Sequence, residues 1–505
     1  MELNNYIAIY QDEKAKYPTL PPFNPSQNYP EYPFKWEEQN LKNFVYSGIR
    51  ELFHILELDL KNYDTPQWNP LGEIISPGEK VLLKPNFVFH QSNLSNGDLF
   101  SVIVHGSVLR VVIDYVYIAL KGKGEITIAD APLQSAKFEK ILELTGMAEI
   151  ANYYLQQKGF PIKIIDLRKE YAMTNDDGII IKRIPLIGDP RGCIAINLGD
   201  KSEFYPIINE YKRFKVDDYK ENELVKHHNK KVNEYLVSKS ILESDVIINI
   251  PKLKTHKKAG VSLCLKNIIG INVDKRWLPH HKKAGLFYKG DEFFNIRLAD
   301  KIRFRILEFL KTTPSFFRKG VMKSGRIIKN LMNLLNNKDI NQSCEESKFL
   351  ISEGSWYGND TIWRTILDIN NILFYADKEG NIKLKRQRKF LCIVDGIIAG
   401  EEEGPFSPMP KQCGILIGGF EPVLIDMVSS RLMGFNFHNI PHIENAFKNN
   451  KFLPEKFDLK KIKCKSNLPK WNDIFDDKFQ EYLNFTPSKG WKNHIELNKS
   501  SNIIC

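Results

Sequence analysis

The order of apolar segments along the 505 residues predicts an α/β fold: a largely parallel, doubly wound sheet carrying an antiparallel excursion and a helical insertion. Three observations carry that prediction. Short apolar runs of strand length alternate with longer stretches at helical spacing, as in Lys80–Lys84, Val102–Leu120 and Glu125–Ala129. Residues 167–235 break this rhythm with alternating polar and apolar patches, and they contain Asp176-Asp177-Gly178, a hairpin signal. Residues 300–339 crowd ten basic against three acidic residues among apolar residues near helical spacing.

Taken in order, residues 1–79 begin as an extended arm, with prolines at 18, 21, 22, 25, 30 and 33, and continue into a helix near Asn40–Leu58. The first part of the core spans 80–290. Lys80–Lys84 is a buried strand that Pro85 ends, because proline cannot continue an internal ladder. Ile103, Val108, Val111, Val112, Tyr115 and Ile118 make one helical face, which Gly122 and Gly124 terminate. A second strand, Glu125–Ala129, closes on Asp130, a helix covers Lys137–Met147, and Ile162–Asp166 is a third strand. After the excursion at 167–235, Val246–Ile250 returns to the core. Residues 291–350 are the basic insertion, two helices broken at Pro314. The second part of the core, 351–450, holds a helix over Thr361–Leu373, the strands Phe390–Asp395 and Gly414–Gly418, and the helices Pro422–Met433 and His442–Phe447. Residues 451–505 form a C-terminal extension.

Composition narrows the function classes. Apolar content of 42% and charged content of 26% are those of a soluble globular protein. The 72 Lys and Arg against 61 Asp and Glu favour anionic ligands, but no nucleic-acid-binding motif accompanies them and no nucleic-acid partner is expected. The cysteines at 193, 264, 344, 392, 413, 464 and 505 include no C-x-x-C pair, which argues against zinc, iron–sulfur and disulfide frameworks. With no signal pattern at the amino terminus and no apolar run of spanning length, a cytoplasmic location is expected.

In open α/β sheets, ligands sit beyond the carboxyl ends of the strands. The segment VIINIPKLKTH places Lys252, Lys254 and His256 just past such an end, and GVSLCLKNIIG follows with Lys266 and Asn267. Neighbouring lysines disfavour each other's protonated form and so become usable bases or nucleophiles. Lys254, His256 and Lys266 are therefore the candidate catalytic residues. Lys84, Asn86, Lys252 and Asn267 are candidate substrate contacts at the same rim. Asn359 and Arg364 join them if the helix start at WYGNDTIWR binds an anion, although Asn359 or Asp360 equally suits an N-cap and Arg364 could pair with Asp368. Asp130, His256, Asp395 and Glu403 are the candidate metal ligands, with Asp130 equally readable as a helix cap. Lys257, Lys258, Lys282 and Lys283 read as a solvated basic loop, Glu401 and Glu402 as a solvent loop, and Asp426 as a cap or a further group at the same edge. None of the spacings is a P-loop, a G-x-G-x-x-G fingerprint, a zincin helix or a G-x-S-x-G elbow.

Over Lys80 to Phe447 the chain resembles domain-of-unknown-function family 362, through VLLKPN (81–86), INIPKLKTH (248–256), LKNIIG (265–270), VDGIIAGEEEGP (394–405) and GGFEPVLIDMVSSRLMG (418–434). Some members of that family are fused to ferredoxin-like iron–sulfur segments. This chain has no cysteine cluster, so that association is not carried over and no iron–sulfur cluster is expected. A remoter similarity, in general arrangement only, is to the amino-terminal domain of nickel-pincer lactate racemases, which hold a nicotinate-derived metal cofactor with lysine and histidine. No motif matches those enzymes residue by residue. The expectation is a cytoplasmic enzyme acting on a small carboxylate or phosphate substrate, with a divalent metal as the cofactor that fits its acidic groups. The alternative is a non-catalytic anion-binding or membrane-surface scaffold that docks to a membrane or protein through 300–339.

Overall fold

The computed structural model describes residues 5–38, 42–175, 180–219, 221–285, 289–294, 351–449, 451–453, 457–476 and 478–497. The expected basic helices at 300–339 and the turn Asp176-Asp177-Gly178 lie outside these residues.

The parallel core is built from β2 (Lys80–Pro85), β3 (Glu125–Asp130), β4 (Ile162–Asp166) and β10 (Val246–Ile250), the apolar runs read from the sequence. Burial on both faces explains why these strands are almost continuously apolar. Alternate residues point to opposite sides, so Val81 and Leu83 enter one core and Leu82 enters the other. One face is covered by α1 (Phe44–Ile55), α2 (Gly106–Leu120), α3 (Phe138–Thr145) and α4 (Met147–Lys158). The opposite face carries α7 (Cys264–Asn267), α8 (Ile362–Tyr375), α9 (Pro422–Leu432) and α10 (Pro441–Lys448). This is the doubly wound arrangement.

Between the two parts of the core, β5 (Glu170–Thr174) pairs antiparallel with β6 (Ile180–Pro185), and β7 (Cys193–Asn197) with β9 (Glu234–Ser238). A third ribbon joins β8 (Phe214–Lys215) to β13 (His281–Lys282). The short helices α5 (Glu221–His227) and α6 (Lys239–Leu242) complete this antiparallel excursion.

Four features depart from the sequence reading. The arm contributes β1 (Tyr6–Gln11) and the C-terminal extension contributes β16 (Lys463–Ser466); with β14 (Lys389–Glu403) and β15 (Ser407–Gly419) the sheet order is β16-β1-β15-β14-β10-β2-β3-β4. β14 and β15 are two arms of one long antiparallel hairpin, extending well beyond the expected strands Phe390–Asp395 and Gly414–Gly418. Asp395 is consequently mid-strand, and Glu401, Glu402 and Glu403 are ladder residues, not a solvent loop. Pro251 interrupts the sheet without ending it: β11 (Lys252–His256) resumes parallel pairing with β14 and pairs antiparallel with β12 (Gly260–Ser262). The residues read as rim loop are thereby fixed as strand. Among the described residues no helix is long and apolar enough to cross a membrane.

Candidate functional site

The ends of β2, β3 and β10 meet, and a polar network fills the junction. Lys84 Nζ lies 2.7 Å from Asp130 Oδ1 and donates to the Pro85 carbonyl at 2.9 Å. Asp130 Oδ2 accepts the Phe87 N–H at 2.8 Å. Burial pushes the Lys84 ammonium below its ordinary range and the Asp130 carboxyl above it, and each partner opposes the other's shift. Asn267 stitches the layers together. Its Nδ2 donates to the Lys84 carbonyl at 3.1 Å and to Asn249 Oδ1 at 2.8 Å, while its Oδ1 accepts from Asn86 Nδ2 at 2.9 Å. Asn86 Oδ1 in turn accepts from Lys254 Nζ at 3.1 Å, and Lys254 also donates to the Val102 carbonyl. Lys84, Asn86, Asp130, Lys254 and Asn267 thus form one connected set, drawn from segments far apart in the chain.

The short helix α7, which carries Lys266 and Asn267, needs an external partner for its first N–H groups. Asp426 on α9 supplies it, accepting from Cys264 N at 2.7 Å and Leu265 N at 2.9 Å. Asp426 is therefore a cap, one of the two roles anticipated for it. Burial raises its carboxyl to about 7, despite those two hydrogen bonds. Just after α7 the Gly270 carbonyl accepts from Ala131 N at 3.0 Å, which holds the turn against the end of β3.

Beyond this network lies a cluster of basic side chains. His256 Nδ1 accepts from Lys258 N at 3.1 Å and Ala259 N at 3.2 Å, so the neutral ring carries its proton on Nε2. Burial, then Lys266 and Lys254, push the imidazole well below its ordinary range. Lys266 is half-buried, and among the described residues its ammonium has no hydrogen-bond or ion-pair partner. Burial lowers it to about 7, with Lys275 and Lys84 adding to the effect. Lys275 is likewise half-buried and likewise without a partner among the described residues. Burial takes it down to about 8, against the opposing charges of Asp218 and Asp217.

The excursion adds Asp217 to this cluster. Lys258 pairs with Asp217 at 2.6 Å, and His281 Nδ1 lies 3.6 Å from the same carboxylate. Burial opposes the charge on Asp217, but Lys258, His281 and His280 outweigh it and hold the carboxyl well below its usual range. The cluster therefore presents cations whose repulsion is only partly neutralised, an arrangement that favours an anion.

Several candidate residues stand elsewhere. Lys252 makes a sealed pair with Asp395 at 3.0 Å, both side chains fully buried, and donates to Tyr17 Oη at 2.7 Å. Tyr17 Oη donates onward to Asp395 Oδ1 at 2.5 Å, and His105 N donates to Asp395 Oδ2 at 3.2 Å. Asn359 Oδ1 accepts from Thr361 N and Ile362 N at 2.9 and 3.0 Å, the capping role that its sequence position also allowed. Arg364 pairs with Asp360 at 3.0 Å and not with Asp368, which instead accepts from Ser202 Oγ, Glu203 N and Tyr235 Oη. Glu403 Oε1 accepts from Lys489 N at 2.7 Å at the hairpin tip. The proposed metal set of Asp130, His256, Asp395 and Glu403 does not converge, and no group of three metal-ligating side chains is assembled among the described residues.

Sequence reasoning placed Lys258 on a solvated loop, whereas it is 5% exposed and ion-paired. It passed over Asp217, Lys275, Asn249 and Tyr17 entirely. A signal existed for Asn249 alone, as a polar residue inside an otherwise apolar strand.

The model of the family described as domain of unknown function (DUF362) matches residues 81–196 and 184–431. The chain belongs to this family. The DUF362 match takes in nearly all of the first part of the core and the second part up to residue 431, including every residue of the Lys84–Asn86–Lys254–Asn267 network. Among curated proteins no sequence matches this chain. A solved structure of a Thermotoga maritima protein is similar at 13% identity over 74% of this chain and 55% of that one, with a TM-score of 0.29. This DUF362 chain thus spans about half the length of that protein.

Proposed function

We propose that this protein binds a small anion, a carboxylate or phosphate compound, at the cluster of His256, Lys266 and Lys275, and acts on it through a lysine amine. One observation supports the reading above all. Among the described residues the half-buried Lys266 has no hydrogen-bond or ion-pair partner, although Lys84, Lys254, Lys258 and Lys275 surround it and Asp130 and Asp217 are committed to other lysines. An ammonium left without an internal partner in a crowd of like charges is stabilised by an external anion, and its neutral form at pH 7 can serve as base or nucleophile. Lys84, Asn86, Lys254 and Asn267 set the rim and position α7. His256 offers an Nε2–H to the bound group.

Calorimetric titration of the full chain with inorganic phosphate and with citrate is the direct test. Saturable binding should weaken at least about tenfold in Lys266→Met and in Lys275→Met, the loss expected for one charge-assisted contact. Equal binding by both variants and the parent chain would remove the cluster from consideration.

A further inference from the structure

We propose that Lys266 captures its ligand covalently, forming an imine with the carbonyl carbon of a small oxo acid. The inference rests on the anion-binding reading above and adds the substrate class and the bond formed. Three features of this cluster support it. The Lys266 amine is directed to no internal acceptor among the described residues, unlike Lys84, Lys252, Lys254 and Lys258, each of which is tied to a carboxylate, carbonyl or amide oxygen. It projects from a helix end that Asp426 and the Asn267 amide hold on both sides, so its backbone is fixed while its tip is free. Lys275 and Lys84 act on it most strongly among the charges around it and would hold the carboxylate of an oxo acid next to the attacking nitrogen, whereas Asp130, which opposes them, is already paired with Lys84. Burial among those charges keeps a large fraction of the amine neutral near pH 7.

The step balances with the chain's own groups and water. The Lys266 nitrogen lone pair forms a C–N bond, and the carbonyl π pair moves to oxygen, which receives one Nζ proton to give the carbinolamine. The C–O bond then breaks, the leaving hydroxide takes the second Nζ proton as water, and a neutral imine remains. His256, whose Nε2 carries a proton and whose Nδ1 is held by two backbone N–H groups, is a fixed donor beside the departing oxygen. Neither oxidant nor reductant is needed for the capture. Lys275 shares the cluster, but Asp217 and Asp218 stabilise its charged form, which leaves it as the carboxylate's counter-ion.

Glyoxylate is the probe. The full chain would be incubated with glyoxylate and sodium cyanoborohydride at pH 7, which reduces an imine to a stable secondary amine, and then mapped by peptide mass spectrometry. The expected result is labelling of Lys266 about tenfold or more faster than of any exposed lysine, as for an amine with a larger neutral fraction. Lys266→Arg keeps the positive charge and cannot form the imine, so it should lose that label. Inorganic phosphate should slow labelling of the parent chain. Labelling spread evenly over surface lysines, or concentrated on Lys275, would overturn the proposal. Phosphate binding without selective labelling would sink the imine and leave the anion site standing, whereas loss of both would remove the two readings together.

Discussion

Gly270 lies against Asp130 so closely that a β-carbon added there would fall inside contact distance of Oδ1 and 2.8 Å from Lys84 Nζ. The last residue of the LKNIIG motif is therefore glycine because a buried ion pair occupies the space that a side chain would need. Gly270→Ala must push the Lys84–Asp130 pair aside or displace the turn after α7. A stability loss of about 1–3 kcal/mol is expected, the usual range for overpacking. Denaturant melts measure it, and phosphate titration should show weaker binding because Lys266 moves with the turn.

The buried pair of Lys252 and Asp395 gives a sharper stability test. Lys252→Met strands a fully buried carboxylate whose remaining partners are Tyr17 and two backbone N–H groups. Breaking one side of such a pair typically costs about 3–5 kcal/mol. Lys252→Met combined with Asp395→Asn should recover a large part of that loss. A single variant as stable as the parent chain would show that the pair contributes little.

Asp426 links stability to pH. Its carboxyl stands at about 7 in the folded chain against an ordinary 3.8. Between those values the folded state holds a proton that the unfolded state has released, so this group's contribution to stability falls as pH rises from about 4 to 7 and is flat above. Asp368, raised to about 7 by burial, acts in the same direction. Asp426→Asn should flatten part of this slope in chemical melts across pH 4.5–8, with the variant gaining on the parent chain as pH rises. Parallel slopes for the two proteins would contradict the assignment.

Anion binding should depend on pH with the opposite group in control. Lys266 at about 7 and Lys275 at about 8 are charged below those values and neutral above, so phosphate affinity should fall as pH rises through 7 to 9. A bound anion favours the ammonium forms, so binding near pH 8 should take up protons. Calorimetry in buffers of different ionisation enthalpy reads that uptake directly. The Lys266→Met and Lys275→Met variants should each take up less.

The sequence by itself determined the strands read as Lys80–Lys84, Glu125–Ala129, Ile162–Asp166 and Val246–Ile250, each within a residue of its observed bounds, because strands buried on both faces must be nearly all apolar. It also marked Lys84, Asn86, Lys254 and Asn267, since polar residues at the ends of such runs stand out against their surroundings. Tertiary structure alone decided which of these groups meet. A carboxylate at a strand end looks the same whether it faces a lysine, as Asp130 does, or waits for a metal, and only the placement of β2 beside β3 separates the two. Lys258 and Lys275 were illegible for the same reason. Their neighbours Asp217 and Asp218 come from the antiparallel excursion, some forty to sixty residues earlier, and a lysine's charge state depends on which distant groups surround it and not on the residues beside it in the chain.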